Sequence, residues 1–106
     1  MLDIHIAKTF DQATKSARLT GIPLDEHAIL FGDLDFLADF PLILRIEDYW
    51  NDAQYSGEEI QLLSEEIDTL IEKSSASSLK PGILEKLRDA CKSATESRKS
   101  IFLVAD

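Results

Sequence analysis

Apolar residues recur at a helical period in two stretches of the chain. Ile60, Leu63, Ile67, Leu70 and Ile71 share one face at about 100° per residue, and Ile83, Leu84, Leu87, Cys91 and Ala94 do the same further on. The first stretch carries its own start signal. Ser56 and Glu59 have the spacing of a capping box, in which each side chain satisfies a backbone N–H at a helix start, and Tyr55 and Ile60 occupy the positions of a hydrophobic staple. Helices are therefore predicted over residues 56–73 and 81–98. Pro81 suits the first turn of the second, while Arg98 and Lys99 face the negative end of its dipole. Ser74-Ser-Ala-Ser-Ser78 reads as a short polar linker between them.

Other stretches have the period of a strand. Leu2, Ile4 and Ile6 alternate with Asp3, His5 and Ala7, which predicts a half-buried strand with His5 on the side away from the apolar face. Ile101-Phe-Leu-Val104 is a continuous apolar run, as in a strand buried on both faces. Leu42-Ile-Leu-Arg-Ile46 is rich in branched residues and directly follows Pro41, which predicts a strand over 42–47. Between the first strand and residue 24, Thr9 and Gln12 form another capping box and Phe10, Ala13 and Ala17 follow at helical spacing. Gly21 can take the left-handed geometry that ends a helix, and Pro23 bars continuation. Residues 24–40 are ambiguous. His27-Ala-Ile-Leu-Phe31 fits a strand or a buried helical turn, and Asp33 can cap a short helix through Leu37 that ends before Pro41.

The order is strand, helix, an ambiguous stretch, strand, helix, helix, strand. Two amphipathic helices and a small sheet can bury each other's apolar faces, which predicts an α+β fold: a small two-layer α/β sandwich with helices packed on one face of a short sheet. At 106 residues there is room for one core, so residues 1–106 are expected to form a single globular domain.

Charge changes this picture by marking out one region. Residues 25–72 carry fourteen of the twenty Asp and Glu but only one of the eleven Lys and Arg, Arg45. The net charges of residues 1–24, 25–72 and 73–106 are +1, −13 and +3. Such a field attracts cationic partners and repels nucleic acid and anionic membrane. A hydrophobic content of 44% argues against wholesale disorder despite that charge. The lone Cys91 rules out an intramolecular disulfide and fits a reducing compartment. Met1-Leu-Asp-Ile-His-Ile has no basic region or long apolar stretch of a signal peptide, and no apolar run reaches membrane-spanning length. A cytoplasmic protein is expected.

Catalytic and metal chemistry find little support. His5 and His27 have no Cys or His at zinc-ligand spacing. Cys91 lies on an apolar helix face and reads as a small core residue. Asp33, Asp35 and Asp39 suggest a calcium loop, but Ala38 and Leu44 stand where an EF-hand needs Gly and Glu. Glu47, Asp48 and Asp52 can pose as an acid–base pair, yet no other polar group that hydrolysis would use accompanies them. The four glycines are scattered, so there is no phosphate loop, and the basic flanks lack the interleaved aromatics of a nucleic-acid surface. No catalytic residue, metal or cofactor is expected.

One constellation suggests binding instead. Leu62 falls off the apolar face of its helix, about 200° from Ile60. Its neighbours one turn away on either side are Glu58, Glu59, Glu65 and Glu66. An apolar residue ringed by carboxylates fits a basic, partly apolar partner surface. The plainer reading is that a loop covers Leu62, or that it is one of the isolated leucines any surface shows. Upstream, Asp48-Tyr-Trp-Asn-Asp52 places Trp50 among acids just before the helix, where an aromatic with a polar handle suits an interface. One of Tyr49 and Trp50 is expected to plug the core. If the loop feeds directly into the helix, Asp48, Trp50, Asp52, Glu58, Glu59, Leu62, Glu65 and Glu66 share one partner-binding surface.

The stretch Phe40-Pro-Leu-Ile-Leu-Arg-Ile-Glu-Asp-Tyr49 resembles a pattern in small bacterial proteins, where a Phe-Pro-Leu strand leads to Arg-Ile-Asp-x-Tyr. An acidic loop, a Leu/Glu-rich helix, a Cys-containing helix and a terminal apolar strand follow, matched here by Asp52, Leu63 to Leu70, Cys91, and Ile101 to Asp106. The likeness covers about the last two-thirds of the chain, and its motifs are loose. The chain departs from the pattern at Glu47-Asp48 and at Ala105, where Gly is preferred. Proteins of this look include candidate immunity proteins that neutralise bacterial toxins. The resemblance therefore implies a basic protein partner, a cationic toxin domain. The alternative is a non-inhibitory regulatory or assembly protein whose acid excess serves solubility, and a small hydrolase comes third.

Overall fold

The computed structural model describes residues 1–32, 34–74 and 82–105, with only the backbone of Ser74. Strand β1 (Leu2–Ala7) is followed by helix α1 (Phe10–Lys15), strand β2 (Thr20–Ile22), helix α2 (Leu24–Phe31) and helix α3 (Pro41–Leu44). Then come strand β3 (Ala53–Tyr55), the long helices α4 (Glu58–Ser74) and α5 (Gly82–Ser97), and strand β4 (Ser100–Ala105). The sheet order is β2-β1-β4-β3, with every neighbouring pair antiparallel. The fold is α+β.

The two terminal strands make the centre of the sheet, Leu2 opposite Ala105 through Ala7 opposite Ser100. Alternation then sorts their side chains by face. Leu2, Ile4, Ile101 and Leu103 join the main core with Ile60, Leu63, Ile67 and Leu70 of α4 and Ile83, Leu84, Leu87, Ala90, Cys91 and Ala94 of α5. On the opposite face Ala7 and Phe102 pack against Ala13 of α1, and the Phe10 ring meets Phe102 edge-on at 6.0 Å. The main helical layer thus lies on one face of the sheet, as expected, with short α1 added on the other. His5, opposite Phe102 in the register, is buried on that second side rather than solvated.

Both long helices form where periodicity places them. The C-terminus of α5 closes with paired bonds from Arg98 N–H to Thr95 O at 3.4 Å and from Lys99 N–H to Ala94 O at 3.0 Å, with Arg98 at φ 55°. The expected roles of Asp33 as a cap, of Pro81 as a first-turn residue, and of residues 75–78 as a linker lie outside the described residues. His27–Phe31 resolves as helix, since all five residues belong to α2.

Two expectations are corrected. Residues 42–47 form no strand: α3 and the turns after it occupy them, with Ile43 and Ile46 buried three apart on one side. Pro41 at the first helical position and a carboxylate from α4 over the Leu42 and Ile43 amides outweigh the strand preference of branched residues. Nor does the first helix run to Gly21. It stops at Lys15, and Thr20-Gly-Ile22 instead pairs with β1 as an edge strand that buries Ile22. Over Gly21 lie the ends of the Met1, Arg18 and Asp3 side chains, with Arg18 and Asp3 paired at 2.7 Å, so a larger residue there would have to displace them.

Candidate functional site

Chain direction explains how the acidic middle is assembled. The segment from Phe40 to Arg45 runs alongside α4 in the opposite sense: Lys73 Nζ lies 5.2 Å from the Phe40 ring, Glu66 meets Leu42 and Ile43, and Glu59 meets Arg45. Between them lies a groove of about 520 Å³, walled by Asp39, Phe40, Pro41 and Leu42 on one side and Glu59, Leu62, Glu65, Glu66 and Thr69 on the other. Leu62 is 51% exposed, so among the described residues no loop covers it.

Two of the glutamates are committed to the fold. Glu66 accepts from the Leu42 amide at 3.1 Å and the Ile43 amide at 3.0 Å, satisfying first-turn donors that α3 cannot satisfy itself. Glu59 pairs with Arg45 at 2.6 Å and accepts from the Ser56 amide at 3.3 Å, which is one half of the predicted capping box. The bond from Arg45 holds the Glu59 carboxyl below the usual carboxylate range. Arg45 also donates to Gln54 O at 2.7 Å and lies 4.9 Å from the Tyr55 ring, which is fully buried, and the Tyr55 hydroxyl donates to Leu42 O. Burial pushes that phenol well above its ordinary value. The single base of the acidic middle is thus a knot tying α3, β3 and the start of α4 together.

The loop residues lie elsewhere. β3 stands between loop and helix and covers about 10 Å at 3.4 Å per residue, so the loop does not feed directly into α4. Asp48 closes a local turn by accepting from the Trp50 amide at 3.0 Å and from the Asn51 side chain. Asp52 accepts from the Ala105 amide at 2.7 Å, where β4 runs past the start of β3 and lacks a backbone partner on that side. Tyr49 is the core plug of the two aromatics: it is 6% exposed and donates to Ile22 O at 2.8 Å. Trp50 is 66% exposed and packs edge-on against Tyr49 at 5.1 Å. The eight expected residues therefore divide. Glu59, Leu62, Glu65 and Glu66 share the groove; Asp48, Trp50 and Asp52 lie at the other end of β3; Glu58 is exposed in the first turn of α4 outside the groove's walls.

Sequence reasoning missed Asp39, Phe40 and Pro41 as the facing wall. The available signal was the spacing of Phe40, Ile43 and Ile46 at i, i+3 and i+6, a helical rather than a strand period.

The other reactive groups are built into the core. His27 is buried, with Nε2 2.7 Å from Ile46 O and its ring stacked on Phe31 at 4.4 Å. Desolvation raises the Cys91 thiol to about 11, unsuited to nucleophilic work. Among the described residues no three His, Cys, Asp or Glu side chains converge so as to hold a metal ion, and no helix is long and apolar enough to cross a membrane. Set against known proteins, the chain matches no family model, no curated protein and no solved structure.

Proposed function

We propose that this chain is an acidic protein-binding module, an immunity-type inhibitor that neutralises a cationic, nuclease-like bacterial toxin domain by occupying its basic surface. The carrying observation is the groove, in which half-exposed Leu62 lies beside Phe40 and Pro41 with Asp39 and Glu65 among the walls. Exposed Leu62 among carboxylates suits a partner that presents cations around an apolar anchor. A nuclease surface is basic because it must bind phosphates. An acidic protein meets such a surface quickly, and close charge pairs there can couple by about 1.5–7 kcal/mol. The action is occupancy, with no catalytic step and no cofactor. The same charge disfavours nucleic acid and anionic membrane as partners. The unpaired Cys91 is in keeping with a cytoplasmic setting.

The alternative, a regulatory or assembly module whose acids maintain solubility, draws on the commitment of Glu59 and Glu66 to internal bonds. The inhibitor reading requires a toxin encoded beside this chain, as the variable C-terminal domain of a large secreted protein. Expressed alone, that domain should arrest growth, and co-expression of this chain should restore it. Persistent arrest with both proteins folded would sink the inhibitor reading, and the lack of any such neighbour would favour the assembly module.

A further inference from the structure

The walls of the groove restrict the form in which a partner can enter it. We infer that its occupant is a short amphipathic helix with Lys or Arg flanking an apolar stripe. This rests on the reading above that the groove meets a basic protein, and adds how that protein presents itself.

The first argument is hydrogen-bonding capacity. One wall is the middle of α4, whose backbone is bonded within the helix. On the other wall the Leu42 and Ile43 amides are held by Glu66, and the Leu42 carbonyl by Tyr55. The Phe40 amide donates to Leu37 O at 2.9 Å, and the Phe40 carbonyl accepts from the Leu44 amide at 3.0 Å. An extended segment laid here would bury its own N–H and C=O groups with little to bond to, at about 1–3 kcal/mol for each group left unsatisfied. A helix satisfies its backbone internally and meets the walls with side chains alone.

The sheet edges point the same way. Arg45 holds the Gln54 carbonyl of edge strand β3, and on edge strand β2 Lys86 donates to Gly21 O and Tyr49 to Ile22 O, both at 2.8 Å. An incoming strand would have to compete with these side chains. Charge settles the sign of the occupant. Asp39 and Glu65 line the groove with Pro41, Leu62 and the largely buried Phe40, whose ring carries Lys73 Nζ at 5.2 Å, and the two carboxylates favour a helix that presents cations beside its apolar stripe. A second copy of this chain, at net −9, meets like charge there.

The test is amide-resolved NMR titration of the full chain at low salt with synthetic peptides of about 16 residues, long enough for measurable helicity. One carries Leu at helical spacing flanked by Lys; a second has the same composition plus two central Pro; a third replaces the Leu stripe with Gln. The first should shift the amides of Asp39, Phe40 and Leu42 and of residues 59–69. The proline peptide should bind about tenfold more weakly, a difference of about 1.4 kcal/mol. Leu62→Asp, with unchanged circular dichroism, should weaken the first peptide by a similar factor, and loss of the Leu stripe should also weaken binding. A proline peptide that binds as tightly on the same amides overturns the helix while leaving the basic-partner reading intact. No groove shift with any peptide at low salt overturns both.

Discussion

In α4 and α5 burial follows the apolar period of the sequence: Ile60, Leu63, Ile67 and Leu70 on one helix, with Ile71 partly buried, and Ile83, Leu84, Leu87, Cys91 and Ala94 on the other. Between Thr20 and Tyr55 the elements are three to eight residues long, and single side chains reaching to backbone groups pin them. His27 holds Ile46, Tyr49 holds Ile22, Tyr55 holds Leu42, Arg45 holds Gln54, and Glu66 holds Leu42 and Ile43. The first region draws its stability from non-directional burial, which tolerates small shifts. The second draws its shape from directional bonds, each specifying one position of a short segment. The groove lies where the two meet, one wall of each kind. Its geometry therefore depends on packing along one wall and on polar contacts along the other.

If that contrast holds, the largest effect comes from the buried helix faces. Leu63→Ala or Ile67→Ala, at positions with no exposure, should cost about 2–5 kcal/mol by lost transfer energy and the cavity left behind. Denaturant unfolding followed by circular dichroism measures it. A loss under about 1 kcal/mol would mean that the site collapses freely and that this half is less tightly packed than its burial implies.

A smaller and more local effect is expected on the other wall. Glu66→Ala removes the acceptor for the Leu42 and Ile43 amides, and a lost cap costs about 0.5–2 kcal/mol. Its signature is regional: amide exchange at Leu42 and Ile43 should accelerate far more than at buried positions of the long helices such as Leu70 and Leu87. Glu66→Gln, which keeps one acceptor oxygen, should lie between parent and alanine. Uniform acceleration across α4 and α5 would erase the distinction between the two regions.

The same contrast explains what could be read in the chain. The long helices and β1 were legible because periodicity over six or more residues determines both element and face, and β4 because a continuous apolar run suits a strand buried on both sides. The strands Thr20–Ile22 and Ala53–Tyr55 were not, because three residues carry no period and their pairing partners lie far away in sequence. Phe40 to Ile46 was misread because branched residues favour strands only where a sheet receives them, and here a carboxylate 23 to 24 residues downstream caps a helix instead. Of the candidate site, the helix wall with Leu62 was legible from the angular count. The facing wall was not, since nothing local indicates that Phe40 and Pro41 run beside α4.

The smallest effect belongs to the Glu59–Arg45 pair, and its pH dependence sharpens the account of the knot. The bond from Arg45 lowers the folded-state pKa of Glu59 below its unfolded value. A carboxyl lowered in this way contributes stability above its unfolded pKa, near 4.3 for an ordinary glutamate, and that contribution disappears as pH falls through the folded value. Both partners are more than a third exposed, so solvent screens the pair and its worth belongs with modest surface ion pairs. Glu59→Gln should therefore be slightly less stable than the parent at neutral pH, and the two unfolding curves should converge as pH drops below the glutamate range. Added salt should narrow the neutral-pH gap as well. A gap that stays constant down to acid pH would mean that the substitution costs stability by a route other than loss of the Glu59 charge, since glutamine can still accept from the Ser56 amide. The knot would then rest on the bond from Arg45 to Gln54 O and the stacking of Arg45 on Tyr55.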